Sequence, residues 1–249
     1  MKLLHLVGAR PNFMKAAPVL HAVAASAPDL KQLLVHTGQH YDERMSKIFF
    51  DELGMPKPDE HLDVGSGLHG AQTGQIMERF ERVVTQHRPD WVVVYGDVNS
   101  TVAGALVSAK LGVRCAHVEA GLRSYDRTMP EEINRVVTDQ LADLLLTSEP
   151  GAAANLTREG IGSERIVFVG NAMIDTLVRL SPRAEPRTIL GELAIGPGAS
   201  RPFVLVTLHR PANVDEPTGF ARLLRAVADA VRGMRVIFPV HPRTAKTLQ

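Results

Sequence analysis

The 249-residue sequence predicts an α/β protein built from doubly wound parallel sheets. Three observations carry this. Short apolar runs alternate with longer segments of helical spacing, the rhythm of successive βαβ units. The runs are continuously apolar, as in Trp91-Val92-Val93-Val94-Tyr95, which is expected of strands covered by helices on both faces. Aromatic residues make up only 5%, and Ala, Val and Leu fill the apolar positions, which suits helices on a parallel sheet better than a β-sandwich.

Taken in order, strands are predicted over Leu3–Val7, Gln32–His36, Trp91–Tyr95, Arg114–Val118, Leu144–Thr147 and Ile166–Val169. Helices are predicted between them, over Pro11–Ala25, Ala71–Thr85, Thr101–Leu111, Glu131–Leu141 and Gly151–Glu159. Residues 1–180 therefore read as one N-terminal domain. Residues 181–200 concentrate Pro182, Pro186, Gly191, Gly196, Pro197, Gly198 and Ser200, and read as a linker. The rhythm restarts in 201–249 with strand Phe203–Thr207, helix Thr218–Val231 and strand Arg235–Pro239. Two strands and one full helix cannot cover both faces of a sheet, so this C-terminal domain is expected to be incomplete.

Bulk properties narrow the function classes. The hydrophobic content of 45% and charged content of 22% are those of an ordinary globular protein. A formal net charge of +1 provides no basic field for nucleic acid. The first apolar run is too short for a signal peptide, and no stretch reaches the ~20 apolar residues of a membrane span, so a cytoplasmic protein without a membrane partner is expected. The single cysteine, Cys115, excludes an intrachain disulfide framework and a Cys-cluster zinc site, and reads as a buried, inert thiol.

In doubly wound sheets, ligands bind outside the carboxyl ends of the strands. The first strand leads into Gly8-Ala9-Arg10-Pro11, with Lys15 one turn further on. Free N–H groups at a helix start, with Arg10 and Lys15 alongside, make a phosphate site; a plain βα turn with solvated bases reads equally well from this segment alone. The second strand leads into Gln39-His40. The third leads into Gly96-Asp97, where Asp97 is either a crevice carboxylate or a helix-start residue. The fourth leads into Glu119-Ala120-Gly121-Leu122-Arg123. A further loop delivers Pro130-Glu131-Glu132-Ile133-Asn134-Arg135, in which Glu131 and Arg135 share a helix face and could form a surface ion pair. Singly, each has a bland account. Together, Asp97, Glu119 and Glu131 place three carboxylates at one predicted sheet edge, as acid–base chemistry requires. Arg10, Lys15, Arg123 and Arg135 supply charge for a diphosphate. The second domain adds His209-Arg210 and His241 directly after its strands. There is no Gly-x-Gly-x-x-Gly after a strand, no phosphate-binding Gly-x-x-x-x-Gly-Lys loop, no Gly-x-Ser-x-Gly and no metal motif.

These segments, in this order, resemble the non-hydrolysing UDP-N-acetylglucosamine 2-epimerases. The blocks His117-Val118-Glu119-Ala120-Gly121-Leu122-Arg123 and Pro130-Glu131-Glu132-Ile133-Asn134-Arg135 are the specific ones. Gly8-Ala9-Arg10-Pro11, Thr37-Gly38-Gln39-His40, Gly96-Asp97, Gly170-Asn171 with Asp175, and His209-Arg210 extend the match over nearly the whole chain. The resemblance implies two Rossmann-like domains in the glycosyltransferase-B arrangement, with the site in their cleft. It implies interconversion of UDP-N-acetylglucosamine and UDP-N-acetylmannosamine by elimination of UDP to a 2-acetamidoglucal and re-addition, without a redox cofactor or metal. By the same resemblance Asp97, Glu119 and Glu131 are the catalytic acids, Arg135 the catalytic arginine and His209 the UDP-facing histidine. Arg10, Lys15, Gln39, His40, Arg123, Arg210 and His241 are expected to bind substrate or UDP, and a homodimer is expected. A hydrolysing epimerase shares most of these motifs. A glycosyltransferase of the same architecture would not need so many acids in its first domain. An incomplete second domain also leaves room for a nucleotide-sugar-binding fragment without turnover.

Overall fold

The computed structural model describes residues 1–38, 50–183, 186–195 and 202–248. The chain divides into two compact units, Met1–Pro182 and Arg183–Gln249. No helix among the described residues is long and apolar enough to cross a membrane.

The first unit is a seven-stranded sheet of β1 (Lys2–Val7), β2 (Lys31–His36), β3 (Glu60–His61), β4 (Trp91–Tyr95), β5 (Arg114–Ala120), β6 (Leu144–Thr147) and β7 (Ile166–Phe168). Every pairing is parallel, and the order is β3-β2-β1-β4-β5-β6-β7. The helices of this unit are α1 (Arg10–Ser26), α2 (His69–His87), α3 (Asn99–Leu111), α4 (Pro130–Leu141), α5 (Pro150–Arg158) and α6 (Ala172–Leu180). The strand order reverses between β1 and β4, so the crests after these two strands lie side by side at the topological switch point.

The period-2 alternation of strands divides the core into two layers. Val93, Tyr95, Ala116 and Val118 face Phe13, Ala16 and Leu20 of α1. Val92, Val94 and Cys115 face the other way, toward Ile76 and Phe80 of α2 and Ala103 and Val107 of α3. Both faces are covered, which is why these strands read as unbroken apolar runs. Pro11 lies in the first turn of α1, where its missing N–H costs nothing. The α3 helix closes on Gly112 in the left-handed conformation (φ 66°).

The six strands expected from sequence are present, each within a residue or two at its ends. β3 and α6 were not among the expected elements. β3 is only two residues long and is specified by pairing with Val35 and His36 rather than by an apolar pattern. α6 exposes Ile174, Leu177 and Val178, so its apolar residues are not the core stripe of a helix; its start is marked by Asn171, whose side chain accepts the Met173 N–H.

The second unit contains α7 (Pro186–Glu192), β8 (Phe203–Leu205), α8 (Pro211–Val214), α9 (Pro217–Ala230), β9 (Arg235–Ile237) and α10 (Pro242–Thr247). β8 and β9 pair in parallel, Phe203 opposite Arg235. Both strands are shorter than expected, since Thr207 and Pro239 fall outside them. The Glu216 carboxylate caps α9 by accepting the Thr218 and Gly219 N–H groups.

One polar pair is sealed in the first unit's core. His5 Nδ1 and the Tyr95 hydroxyl share a 2.7 Å hydrogen bond, and both residues are fully buried. Burial pushes the His5 imidazole down to about 4, against a smaller upward pull from Gln32. The unfolded chain takes up this proton near the ordinary value of 6.5, the folded protein only near 4. Between these values the unfolded state binds more protons, so stability falls as pH falls, by about 3 kcal/mol across the full interval. Urea unfolding of wild type and His5→Gln at both ends of this range is expected to show the variant losing less stability by about that amount. Equal losses would show that His5 does not carry the effect.

Candidate functional site

Three crests at the carboxyl edge of the first unit's sheet converge. After β1, Gly8 and Ala9 turn the chain into α1. Asn12, one turn in, accepts the Gly8 and Ala9 N–H groups at 3.0 and 3.2 Å and donates to the Tyr95 carbonyl at 2.7 Å. This one buried amide joins the β1 crest to the β4 crest. Arg10 opens α1 and is half-buried.

Lys15, on the next turn of α1, is 5% exposed, and its ammonium donates to Glu119 Oε1 at 2.7 Å. A Cβ on Gly96, at the β4 crest, would lie 2.6 Å from this ammonium, so glycine leaves room for it. Glu119 has φ 73°, and the pairing of β5 with β6 shifts register between Val118 and Ala120. Strict alternation would send residue 119 to the side of Cys115 and His117. The bulge and the left-handed backbone instead bring its carboxylate to Lys15, a residue of the opposite helix layer. A glutamate in this conformation is strained by roughly 1–3 kcal/mol, and strain of this kind concentrates at functional sites.

Asp97 follows Gly96 on the β4 crest. One of its carboxylate oxygens accepts Arg135 Nε at 3.1 Å and Nη2 at 2.6 Å, and its backbone carbonyl accepts Asn134 Nδ2 at 2.8 Å. Arg135 also donates through Nη1 to Glu132 Oε2 at 2.7 Å. The ion pair that helical spacing allowed between Arg135 and Glu131 is not formed. Glu131 is exposed in the first turn of α4 and makes no hydrogen bond or ion pair among the described residues. Glu132 takes its place because α4 turns that residue inward, to 2% exposure. It accepts the Ser124 and Tyr125 N–H groups, both at 2.9 Å, and so pins the loop between β5 and α4. Burial pushes the Glu132 carboxyl up, but these backbone bonds and Arg135 outweigh it and hold it below the usual carboxylate range.

Arg123, expected at a diphosphate, is instead enclosed. Its side chain is 1% exposed, with Asp139 Oδ2 at 2.7 Å and Glu159 Oε2 at 2.6 Å. Both partners pull its proton affinity up against burial, and no face of the guanidinium is left for a ligand. Asp139 also pairs with His117, which is wholly buried.

In the second unit, parallel pairing carries His209 and His241 to one edge, their rings 5.7 Å apart. His209 and Arg210 are exposed. His241 Nδ1 accepts the Arg243 N–H at 3.1 Å and caps α10. Gln39 and His40 lie outside the described residues.

The structure thus joins Lys15 to Glu119 and Arg135 to Asp97, leaves Glu131 apart, and removes Arg123 from the surface. Sequence reasoning missed Asn12, Glu132 and Asp139 as organisers, and assigned no role to His117. On α4 a signal was present: Glu132, Arg135 and Asp139 recur at helical spacing on one face.

The family model for UDP-N-acetylglucosamine 2-epimerase matches residues 22–249. A UDP-N-acetylglucosamine 2-epimerase homolog from Methanococcus maripaludis is 45% identical, over all of this chain and 68% of that protein. A UDP-2,3-diacetamido-2,3-dideoxy-D-glucuronate 2-epimerase from Pseudomonas aeruginosa is 42% identical, over all of this chain and 69% of that protein. Among solved structures, the Methanocaldococcus jannaschii UDP-GlcNAc 2-epimerase, in complex with UDP-GlcNAc and UDP, superposes with a TM-score of 0.86 at 40% identity. That match covers all of this chain and 68% of the archaeal one, so the chain spans about two thirds of the length of these relatives. With the family model covering most of its length, the chain belongs to the UDP-N-acetylglucosamine 2-epimerase family, a family of isomerases.

Proposed function

We propose that the protein interconverts UDP-N-acetylglucosamine and UDP-N-acetylmannosamine by elimination and re-addition of UDP. The observation that carries this reading is the strained Glu119 at the β5 bulge, paired with Lys15, beside a second crest carboxylate, Asp97, paired with Arg135. Inversion at C2 needs a proton removed from one face and returned to the other, hence two positioned carboxyl groups. In the forward step one carboxylate takes the C2 proton. The C–H electrons form the C1–C2 double bond, and the C1–O bond breaks with its electron pair going to the UDP oxygen. In the return step that oxygen attacks C1, and C2 takes a proton from the other carboxyl group on the opposite face. Lys15 and Arg135 hold the two carboxylates in place as the charge on each changes. Glu131, exposed at the start of α4, is the third acid of this proposal, and within the first unit Arg10 supplies positive charge for the departing diphosphate.

The substrate is read from the relatives that are named for UDP-N-acetylglucosamine. The Pseudomonas relative makes a UDP-2,3-diacetamido glucuronate the comparator, since it differs at C3 and C6 but epimerises at the same carbon.

Turnover in heavy water is expected to place one deuterium at C2 of UDP-N-acetylmannosamine and of recovered UDP-N-acetylglucosamine, without added nicotinamide cofactor. Product without deuterium would rule out the elimination route. Release of free sugar and UDP as the end products would establish the hydrolysing reaction. Turnover of the diacetamido glucuronate alone would move the substrate assignment to that sugar.

A further inference from the structure

His117 is wholly buried in β5, and both of its ring nitrogens are engaged. Nε2 lies 2.7 Å from the Gly96 carbonyl oxygen, and Nδ1 lies 2.6 Å from Asp139 Oδ1. A carbonyl oxygen only accepts, so Nε2 carries a proton. The other oxygen of the Asp139 carboxylate forms an ion pair with Arg123 Nη1 at 2.7 Å and accepts the Gly121 N–H at 3.1 Å. Burial opposes ionisation of Asp139, but the Arg123 guanidinium and the Gly121 N–H on its other oxygen stabilise the carboxylate. An ionised carboxylate also only accepts, so Nδ1 carries a proton too.

We propose that His117 is a positioning residue, a fixed, buried imidazolium that clamps the β4 crest to α4 and so sets where Asp97 presents its carboxylate. Gly96, whose carbonyl the ring holds, is the residue before Asp97. The Asp97 carbonyl and carboxylate are held by Asn134 and Arg135 of α4, the helix that also carries Asp139. The same ring stands two residues before Glu119 on β5. One cation therefore ties together the three elements that carry the proposed acids and the arginine. A neutral ring would turn a lone pair toward one of two acceptors, and in a dry interior that arrangement repels. Among the described residues, the ring's hydrogen-bond partners are Asp139 from α4 and the Gly96 carbonyl from the crest after β4. Arg123 and Glu159 continue the chain beyond Asp139, so two cations meet two anions and the buried network is compensated. The positioning role rests on the epimerase reading above; the charge of the ring does not.

Nitrogen-15 NMR of the histidine rings tests the charge directly. At the pH of the turnover assay, one ring, absent from His117→Gln, is expected to carry a proton on both nitrogens. An unprotonated nitrogen in that ring overturns the proposal. In turnover, His117→Gln is expected to lower kcat about 10²-fold with KM within about threefold, since a misplaced Asp97 slows chemistry without weakening the grip on substrate. An unchanged kcat, or a loss confined to KM, overturns the positioning role. Should the glutamine variant fail to fold, Asp139→Asn serves instead: with a neutral partner the ring is expected to lose one proton at the same pH, with a similar loss of kcat. A ring that stays doubly protonated in that variant overturns the clamp. A wild-type protein that shows the cation but turns over no UDP-sugar overturns the epimerase reading and leaves the imidazolium standing.

Discussion

Glu119→Gln is expected to lower the rate of C2 proton exchange by about 10²–10⁴-fold, the range typical of a positioned acid or base. The substitution keeps the shape of the side chain. The glutamine oxygen can still accept the Lys15 ammonium, which sits 2.7 Å from the carboxylate in the wild type. The left-handed backbone at this position is as strained for glutamine as for glutamate. What is lost is the charge and the ability to hold a transferable proton. Folding is therefore expected to survive, with some loss of stability because a buried lysine loses its counter-charge. Deuterium uptake at C2, followed beside thermal unfolding, separates the two effects. Wild-type exchange rates in a folded Glu119→Gln protein would remove Glu119 from the chemistry.

Gly121→Ala is expected to damage the fold more than any other single methyl addition at this edge. Gly121 has φ 80°, and a Cβ there would lie 2.6 Å from the Ala152 carbonyl oxygen and 3.0 Å from its carbon. Both are backbone atoms at the start of α5, and they cannot swing aside as a flexible side chain would. Left-handed backbone costs an alanine roughly 1–2 kcal/mol, and overpacking adds about 1–3 kcal/mol. A total near 3 kcal/mol is a large part of the roughly 5–15 kcal/mol that holds an ordinary domain together. For a unit of this size it corresponds to a fall in Tm of about 10 °C. The Gly121 N–H also donates to Asp139, so any shift of this turn reaches the buried charges beneath it. A variant that melts within about 2 °C of wild type would mean that α5 moves more freely than this packing implies.

Much of the fold was legible because its signals are local. The continuous apolar runs of β1, β2, β4, β5 and β6 depend only on each strand being covered on both faces. The carboxyl-end rule then pointed to Gly96-Asp97 and to Glu119 without any knowledge of their partners. The site was less legible where a decision depended on helix phase. Glu131 and Glu132 are neighbours with the same side chain, and spacing alone allowed Glu131 to pair with Arg135. Packing of α4 against the sheet turned Glu132 inward, where it binds Arg135 and the Ser124–Tyr125 backbone. Arg123 misled for a different reason: its charge suggested a ligand, and the folded chain encloses it between Asp139 and Glu159.

The amino-acid sequence by itself determined the α/β class, the order of six strands of the first unit and the crests that carry Asp97 and Glu119. Each of these follows from patterns a few residues long. Only the tertiary structure decided which charge neutralises which. Lys15 and Glu119 are 104 positions apart, Asp97 and Arg135 are 38 apart, and His117 meets Asp139 across 22. Electrostatic pairing depends on distance through space and on exclusion of water, and neither is written in local spacing. The bulge that re-aims Glu119 arises from the pairing of β5 with β6, so it too existed only once the sheet had formed.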